Sequence, residues 1–235
     1  MTGIWVYLAA SPLLWLTLTL LAWLAATGLH ERAGRPALLH PVAVSVGLLI
    51  ALLWATGTPY QRFFDGAQFV HFLLGPATVA LAVPLWRHRA EVRRRLLPLT
   101  AALLAGSATA VASAMLVGRW LGAAPETVAS LAPKSATSPI AMGVAEQLGG
   151  LPSLTGALVL ATGLLGAMVG LPLLRAAGVR DPAAQGVAIG LTSHGIGTAA
   201  AFQAHPLAGT FAGILMALNG LATALLAPLI VRWLG

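Results

Sequence analysis

The only lysine of the chain, Lys134, lies in the stretch SLAPKSATSPIAMG (130–143), between two prolines and among hydroxyl side chains. Its ammonium can neutralise a bound anion, and the neighbouring hydroxyls can donate hydrogen bonds to that anion. Prolines interrupt a helix, and the backbone N–H groups freed at a helix start also attract anions. The stretch therefore predicts a binding site for a small carboxylate, formed by Lys134, Ser135, Thr137 and Ser138.

A second polar cluster, TSHGIGT (192–198), lies inside the run 182–231, which contains no Asp, Glu, Lys or Arg. Imidazole titrates near neutral pH, so His194 can hydrogen-bond a carboxylate or carry a proton. The alternative is a histidine that only mediates helix contacts. The predicted contacts in this cluster are Ser193, His194, Gly195, Gly197 and Thr198. Asn219, farther along, is expected to hydrogen-bond to a broken segment, although membrane asparagines also serve helix packing alone.

The composition indicates whether the helices that contain these residues are surrounded by water or by lipid. Charged residues make up 8% of the chain and hydrophobic residues 58%, against about 25% charged in a typical soluble domain. Uncharged stretches such as 96–118 and 147–174 reach the ~20 residues that span a bilayer as helix. A soluble helical protein would need charged outer faces on these helices. We predict an all-α, polytopic membrane helical bundle. The absence of cysteine excludes thiolate metal sites, and no metal or cofactor is expected.

In that setting, a lysine at membrane depth costs about 2.5–3.5 kcal/mol on insertion scales and usually faces a pathway or a partner. The alternatives for Lys134 are extension to the membrane interface, or an ion pair with Glu126 or Glu146. The flanking prolines favour a binding site. A catalytic Ser–Lys dyad is disfavoured, because the adjacent side chains of Lys134 and Ser135 are expected to diverge. We therefore expect no enzyme.

The excess of basic residues predicts topology. The formal net charge is +7, and arginines crowd into two short connectors, ERAGR (31–35) and RHRAEVRRR (87–95). Short basic connectors mark the cytoplasmic side, where they contact anionic lipid. We therefore expect both connectors on that face, and no nucleic-acid partner. Residues 4–29 are predicted as a retained first membrane helix and 40–57 as the second. The orientation beyond residue 118 stays open.

An internal repeat is the third signal. Pro41, Pro98, Pro152 and Pro206 each open a long apolar stretch, at separations of 57, 54 and 54 residues. Proline at the first helical position is pre-organised for a helix start. Before the last three of these helices lie shorter segments broken by proline or glycine, at 71–85, 130–143 and 186–202. We predict one transmembrane domain, with a helical pair (1–58) followed by three repeated units (59–235).

Discontinuous helices built from repeats are typical of secondary transporters. Breaks inside a membrane are tolerated only where protein or water satisfies the freed backbone groups, so the broken segments predict a shared polar cavity with Lys134 facing His194. The alternative is that proline and glycine are simply more frequent in membrane helices. Whether the repeats are parallel or inverted stays open.

At these residues the sequence resembles the LrgB/CidB family of bacterial membrane proteins, whose fold also forms the C-terminal half of plastid glycolate/glycerate transporters. The motifs are LAPKSATSPIAMGVAEQLGGLPSLTG, GVAIGLTSHGIGTA and, before them, FLLGPATVALAVPL, and the resemblance covers roughly residues 60–230. It implies a multi-pass protein of the bacterial inner (cytoplasmic) membrane, with a small LrgA/CidA-type membrane partner. We also expect a homo-oligomer. Family members usually carry a basic and then an acidic residue where this chain has Ala200 and Gln203.

The resemblance implies two functions. One is transport of small monocarboxylates of the pyruvate, glycolate or glycerate class. The other is holin/antiholin-like control of murein hydrolases and autolysis. The placement of Lys134 favours a transporter or facilitator, because a holin needs no polar cavity containing one lysine.

Overall fold

A computed structural model of the protein describes residues 11–34, 36, 39–73, 76, 79–80 and 82–234. All regular elements in these ranges are helices, as the composition predicts. The chain divides into two compact units, Met1–Ala82 and Val83–Gly235.

The described part of the first unit includes the helices α1 (Pro12–Arg32), α2 (Pro41–Thr56) and α3 (Tyr60–Phe72). Helices α1 and α3 pack closely, because a Cβ on Gly66 of α3 would lie only 2.7 Å from the Cβ of Trp15. The buried Trp15 ring also meets Phe63 edge to face, with the ring centroids 6.1 Å apart. Within the described residues, the predicted first membrane helix starts at Pro12.

Two predictions for this part of the chain fall on residues that the structure does not describe. Residues 4–10 of the predicted first helix precede the described part. The predicted broken segment 71–85 includes residues 74, 75, 77, 78 and 81, which also lie outside it. An interruption there stays a prediction.

Helix α4 (Ala82–Arg87) leads into the second unit. The helices that follow are α5 (Arg89–Arg94), α6 (Leu96–Trp120), α7 (Pro125–Leu131), α8 (Ser138–Gln147), α9 (Pro152–Ala176), α10 (Pro182–Ala204) and α11 (Pro206–Leu234). Within the described ranges, four helices are long and apolar enough to cross a membrane: α1, α6, α9 and α11. At about 1.5 Å per residue, each is at least as long as a ~30 Å hydrocarbon core is thick. Pro152 and Pro206 begin their helices as predicted, whereas α6 begins two residues before Pro98.

Helices α7 and α8 form the two arms of a hairpin, residues 125–147, called hairpin 1 below. Its ends lie together, since Pro125 and Leu148 line the same cavity. Its tip is the non-helical turn 132–137, which contains Pro133 and ends two residues before Pro139. Pro139 is the second residue of α8, where its missing N–H leaves no helical hydrogen bond unmade.

Helix α10 also reverses direction and forms hairpin 2, residues 182–204. The reversal is at His194, which has φ 39° and ψ −139°. A Cβ on Gly197 would lie 2.9 Å from the Ile189 side chain, although eight residues along a straight helix are about 12 Å. Pro182 and Ala204 line one cavity, so both ends of the hairpin lie together. The uncharged run 182–231, long enough for two crossings, thus holds one hairpin and one crossing.

The two hairpins enter the second unit from opposite ends. The first and last residues of hairpin 2 lie at one end of the second unit, called the arginine-rich end below. There Asp181 pairs with Arg95 of the basic connector at 3.0 Å. The ends of hairpin 1 lie beside Arg119 and Val231, the C-terminal ends of α6 and α11, at what is called the opposite end below. Helices α6 and α11 run parallel, because Leu99 packs near Phe211 and Met115 near Ala227.

Helix α9 runs against these two helices. From its N-terminal to its C-terminal end, α9 contacts residues of hairpin 2 whose numbers decrease. A Cβ on Gly163 would meet His194, one on Gly166 would meet Ser193, and one on Gly170 would meet Ile189. The pair formed by α9 and hairpin 2 therefore repeats the pair formed by α6 and hairpin 1, with the direction of its elements inverted. Both α6 and α9 have 25 residues. These two units are inverted relative to each other, while the three-unit repeat predicted over 59–235 stays a prediction.

The same arrangement extends the topology argument to the C-terminal half. The Arg95–Asp181 ion pair joins the connector 87–95 to the start of hairpin 2. Arg175 and Arg180 lie at this end as well. By the positive-inside rule, we expect the arginine-rich end to be the cytoplasmic one.

Candidate functional site

The tips of both hairpins meet at one side chain, Asn219. Its amide nitrogen donates hydrogen bonds to the carbonyl of Ser135, at 3.0 Å, and to that of Leu191, at 3.1 Å. Ser135 belongs to the tip of hairpin 1 and Leu191 to the end of the first arm of hairpin 2. A broken helix leaves carbonyls without helical partners, and here one amide satisfies a carbonyl from each hairpin. The sequence predicted such a bond to one broken segment, and the structure shows it to both.

Asn219 is held in turn by α6 and by its own helix, α11. Its oxygen accepts from the Ser107 hydroxyl of α6 at 2.6 Å and from the Thr223 hydroxyl at 3.4 Å. Asn219 is the fourteenth of the 29 residues of α11, and Ser107 the twelfth of the 25 of α6. The junction is therefore near mid-membrane, and Asn219 is only 1% exposed.

Lys134 lies in the tip of hairpin 1, half-buried, with its ammonium 3.5 Å from the Ser135 hydroxyl. The sequence predicted that these adjacent side chains diverge. That prediction was wrong, because the turn 132–137 is not helical and brings them together. The contact is at the limit of a hydrogen bond. Among the residues that the structure describes, Lys134 forms no ion pair with Glu126 or Glu146.

The other two hydroxyls of this stretch lie where the second arm of hairpin 1 begins. Thr137 is the N-cap residue of α8 and Ser138 its first residue, and both are half-buried. The Thr137 side chain makes no capping hydrogen bond to the helix. Its hydroxyl therefore contributes nothing to the helix start, where threonine normally acts as a cap.

His194 forms the tip of hairpin 2. Its Nε2 lies 2.8 Å from the carbonyl oxygen of Val159, and since a carbonyl only accepts, Nε2–H is the donor. Its own carbonyl accepts from the Thr198 hydroxyl at 2.8 Å. A positive φ at a non-glycine residue costs of order 1–3 kcal/mol and persists only where surroundings enforce it. Here both the ring and the carbonyl of the strained residue are anchored.

Val159 connects the two tips from the side of α9. Its side chain packs with Ala136 in the tip of hairpin 1, while its carbonyl accepts from His194 in hairpin 2. The tips that contain Lys134 and His194 therefore both contact the same residue of α9. The polar cavity expected between them stays a prediction; the junction itself is formed by hydrogen bonds.

The other predicted contact residues of hairpin 2 fall into two groups, three that are buried and one that is exposed. Ser193 and Thr198 are buried, and the Ser193 hydroxyl lies 3.0 Å from that of Thr192. Gly197 is also buried, where a Cβ would clash with the Ser193 side chain. Gly195 is exposed, and the nearest atom to a Cβ there is the Met216 sulfur at 3.8 Å. Ser193 and Gly197 therefore shape the tip, and Gly195 leaves open space beside His194.

Sequence reasoning missed a glycine groove on α9, formed by Gly163, Gly166 and Gly170. A Cβ on Gly163 would lie 2.6 Å from the His194 Nε2, and one on Gly166 would overlap the Ser193 hydroxyl. The groove therefore seats the tip of hairpin 2 against α9. Its signal was in the sequence: small residues at spacings of three and four mark close helix contacts in membranes.

Comparison with known proteins supplies the family. The model of the LrgB-like family matches residues 19–233, nearly the whole chain. The chain belongs to the LrgB-like family. No solved structure matches it.

Relatives of this LrgB-like protein align with 80% to 93% of the chain. It is 32% identical to the uncharacterized protein YwbG of Bacillus subtilis over 219 residues, 93% of this chain and 97% of the relative. An uncharacterized protein of Haemophilus influenzae is 34% identical over 80% of this chain and 82% of its own. The holin-like protein CidB of Staphylococcus epidermidis is 27% identical over 93% of this chain and 95% of its own.

As an LrgB-like protein with four apolar helices long enough to span a bilayer within its described residues, the chain is a multi-pass membrane protein. Its departures at Ala200 and Gln203 lie on the second arm of hairpin 2. Ala200 is half-buried and Gln203 is exposed near the arginine-rich end.

Proposed function

We propose that this LrgB-like protein is a transporter or facilitator of small monocarboxylates, of the pyruvate, glycolate or glycerate class. The observation that carries the proposal is the meeting, at mid-membrane, of two hairpins that enter from opposite ends. Alternating access needs a site that either face can open, and an inverted repeat supplies two equivalent barriers around one site.

Lys134 supplies the positive charge that a carboxylate requires in a medium of low dielectric constant. A charge-assisted hydrogen bond contributes roughly 1.5–3 kcal/mol. The ammonium has only a weak contact with Ser135, so it retains donors for a substrate. The substrate contacts we propose around it are Ser135, Thr137 and Ser138 in hairpin 1 and Ser193, His194, Gly195, Gly197 and Thr198 in hairpin 2. Asn219, predicted as a further contact, donates both amide hydrogens to the hairpins and would hold them around the site.

His194 couples the carboxylate to a proton in this scheme. Its Nε2–H already donates to Val159. In the neutral ring Nδ1 therefore carries no proton and acts as an acceptor. An acceptor cannot form a hydrogen bond with a carboxylate, which also only accepts. His194 therefore donates to a carboxylate only as imidazolium, and the carboxylate offsets the repulsion between that imidazolium and Lys134. Substrate and proton would bind together.

A second candidate function is holin/antiholin-like control of murein hydrolases and autolysis. The similarity to CidB, a holin-like protein of Staphylococcus epidermidis, supports it. None of the relatives named above carries a transporter name. In a holin-like mechanism, the protein raises the permeability of the membrane in bulk, and no single lysine determines affinity.

Uptake into proteoliposomes separates the two candidates. Labelled pyruvate, glycolate and glycerate are supplied with and without an inward proton gradient, beside an entrapped dye. Transport predicts saturable uptake that the gradient stimulates, with the dye retained. Release of the dye together with uptake that stays linear in concentration supports the holin-like function and contradicts the transporter.

Three further properties belong to this proposal. The arginine-rich end supports placement in a bacterial inner membrane, facing the cytoplasm. A small LrgA/CidA-type membrane partner is proposed from the family resemblance. A homo-oligomer is proposed as well, and lipid-exposed leucines along α9 and α11 offer apolar surface for its contacts: Leu165, Leu173, Leu218, Leu221, Leu225 and Leu229.

A further inference from the structure

The mouth of hairpin 2, at the arginine-rich end, is a cavity of about 410 Å³. Its lining residues are Arg175, Arg180, Pro182, Gln185, Ala204 and His205. It therefore lies where the two arms of hairpin 2 begin and end, about half a membrane thickness from His194 at the tip.

The lining offers hydrogen-bond donors to an anion. Both arginines are exposed, and within the described residues neither forms an ion pair. The neighbouring carboxylate, Asp181, pairs with Arg95 instead. In His205, Nδ1 accepts from the Leu207 N–H at 3.1 Å, so the ring proton of the neutral form is on Nε2, a free donor position. Guanidinium groups and this N–H are donors of the kind that a carboxylate accepts from.

The inverted repeat supplies a natural comparison. Hairpin 1 has its own mouth at the opposite end, a cavity of about 360 Å³. Arg119 lines it, in the last position but one of α6, as Arg175 is in α9. The rest of that lining is apolar or small. Glu126 and Glu146 belong to hairpin 1, and both are exposed. The two mouths are equivalent by symmetry but differ in charge.

We propose that the mouth of hairpin 2 is a capture site for small carboxylates on the cytoplasmic side. It binds the anion through Arg175, Arg180 and His205 before hairpin 2 admits it. This inference rests on the proposed function for the class of ligand and adds the sidedness of its capture. Positive lining in a cleft raises the local concentration of anions and their on-rate.

Thiol labelling tests the capture site without transport, because the native chain contains no cysteine to remove. Ala204→Cys places a thiol in the mouth of hairpin 2, and Ala123→Cys places the matched thiol in the mouth of hairpin 1. Each purified variant reacts with an anionic and a cationic methanethiosulfonate of similar size. The measured quantity is the ratio of the anionic to the cationic reaction rate.

We expect this ratio to be about tenfold higher at Ala204→Cys than at Ala123→Cys at low salt, and to fall as salt is added. Arg175→Gln with Arg180→Gln should abolish the excess, whereas Arg119→Gln should leave the ratio at Ala204→Cys unchanged. Pyruvate should slow anionic labelling at Ala204→Cys alone. Equal ratios at the two mouths, or no effect of pyruvate, overturn the proposal.

Lipid phosphate shares this chemistry, so labelling is repeated in bilayers with and without phosphatidylglycerol. Slowing by phosphatidylglycerol while pyruvate has no effect assigns the site to a lipid headgroup and overturns a solute site. Failure of saturable uptake by the native protein, with pyruvate protection at Ala204→Cys retained, rejects the proposed transport but supports the capture site. Gel filtration of each variant confirms that it remains folded.

Discussion

The Ser107 hydroxyl donates a hydrogen bond to the carboxamide oxygen of Asn219 over 2.6 Å. Because that oxygen is engaged on the side of α6, the amide nitrogen faces the hairpins and donates to both tips. One buried side chain therefore connects α6, α11 and the two hairpins. Movement of either hairpin away from the junction must break one of these bonds.

Asn219→Leu should destabilise the folded protein and separate the two tips. The change removes two donated hydrogen bonds and leaves two buried carbonyls without partners, at a cost of roughly 1–3 kcal/mol. Ser107→Ala removes only the bond that orients the amide, and should cost about 1 kcal/mol or less. Thermal unfolding in detergent gives the order of the two effects. A smaller loss for Asn219→Leu than for Ser107→Ala would contradict the central role of the amide.

The glycine groove on α9 gives a second prediction. A Cβ on Gly166 would overlap the Ser193 hydroxyl, so Gly166→Ala should push hairpin 2 away from α9. Overpacking of this kind costs about 1–3 kcal/mol. Gly143→Ala in α8 is the matched control, because a Cβ there meets nothing within 4 Å. Unfolding temperatures of both variants test this. Equal effects would mean that general helix propensity, not the groove, decides the outcome.

The sequence was sufficient for the fold class and for two of the interruptions, because prolines and glycines act locally on the backbone. Pro133 and Pro139 bracket the tip of hairpin 1, and the glycines around His194 mark the tip of hairpin 2. Asn219 was identifiable because a lone carboxamide in a long apolar run requires partners.

The sense of the repeat was not predictable, because it depends on which distant residues meet. The order in which Gly163, Gly166 and Gly170 contact hairpin 2 shows that α9 is antiparallel to α6, and no local pattern contains that order. Lys134 and Ser135 show the same limit. Their contact depends on the turn geometry, which helical spacing does not describe.

Cysteine accessibility tests the orientation of the second unit. Ala90 and Ala177 are exposed at the arginine-rich end, whereas Ala124 is exposed at the opposite end. In inverted and right-side-out membrane vesicles, a membrane-impermeant maleimide should label Ala90→Cys and Ala177→Cys from the cytoplasmic side and Ala124→Cys from the other. Labelling of Ala90→Cys and Ala177→Cys from different sides would disprove the inverted arrangement.

The ion pair between Arg95 and Asp181 should contribute little to stability, since both side chains are over a third exposed. Exposed pairs are worth about 0.2–1 kcal/mol and weaken with salt. A double-mutant cycle with Arg95→Gln and Asp181→Asn measures this coupling; asparagine keeps the side-chain acceptor that caps α10 at Ala183. A coupling energy well above this range, unchanged by salt, would show that the pair is shielded from solvent and fixes hairpin 2.

Lys134→Met should weaken carboxylate binding by about one to two orders of magnitude, because it removes a charge-assisted hydrogen bond worth roughly 1.5–3 kcal/mol. Lys134→Arg should also impair transport, since a planar fork does not replace a compact ammonium in a fitted site. Ser135→Ala should cost about half as much free energy, because a neutral hydroxyl makes a weaker bond. Concentration dependence of pyruvate uptake in proteoliposomes measures all three. Saturable uptake by Lys134→Met with an unchanged apparent affinity would reject Lys134 as the carboxylate contact and leave it a structural residue of the hairpin tip.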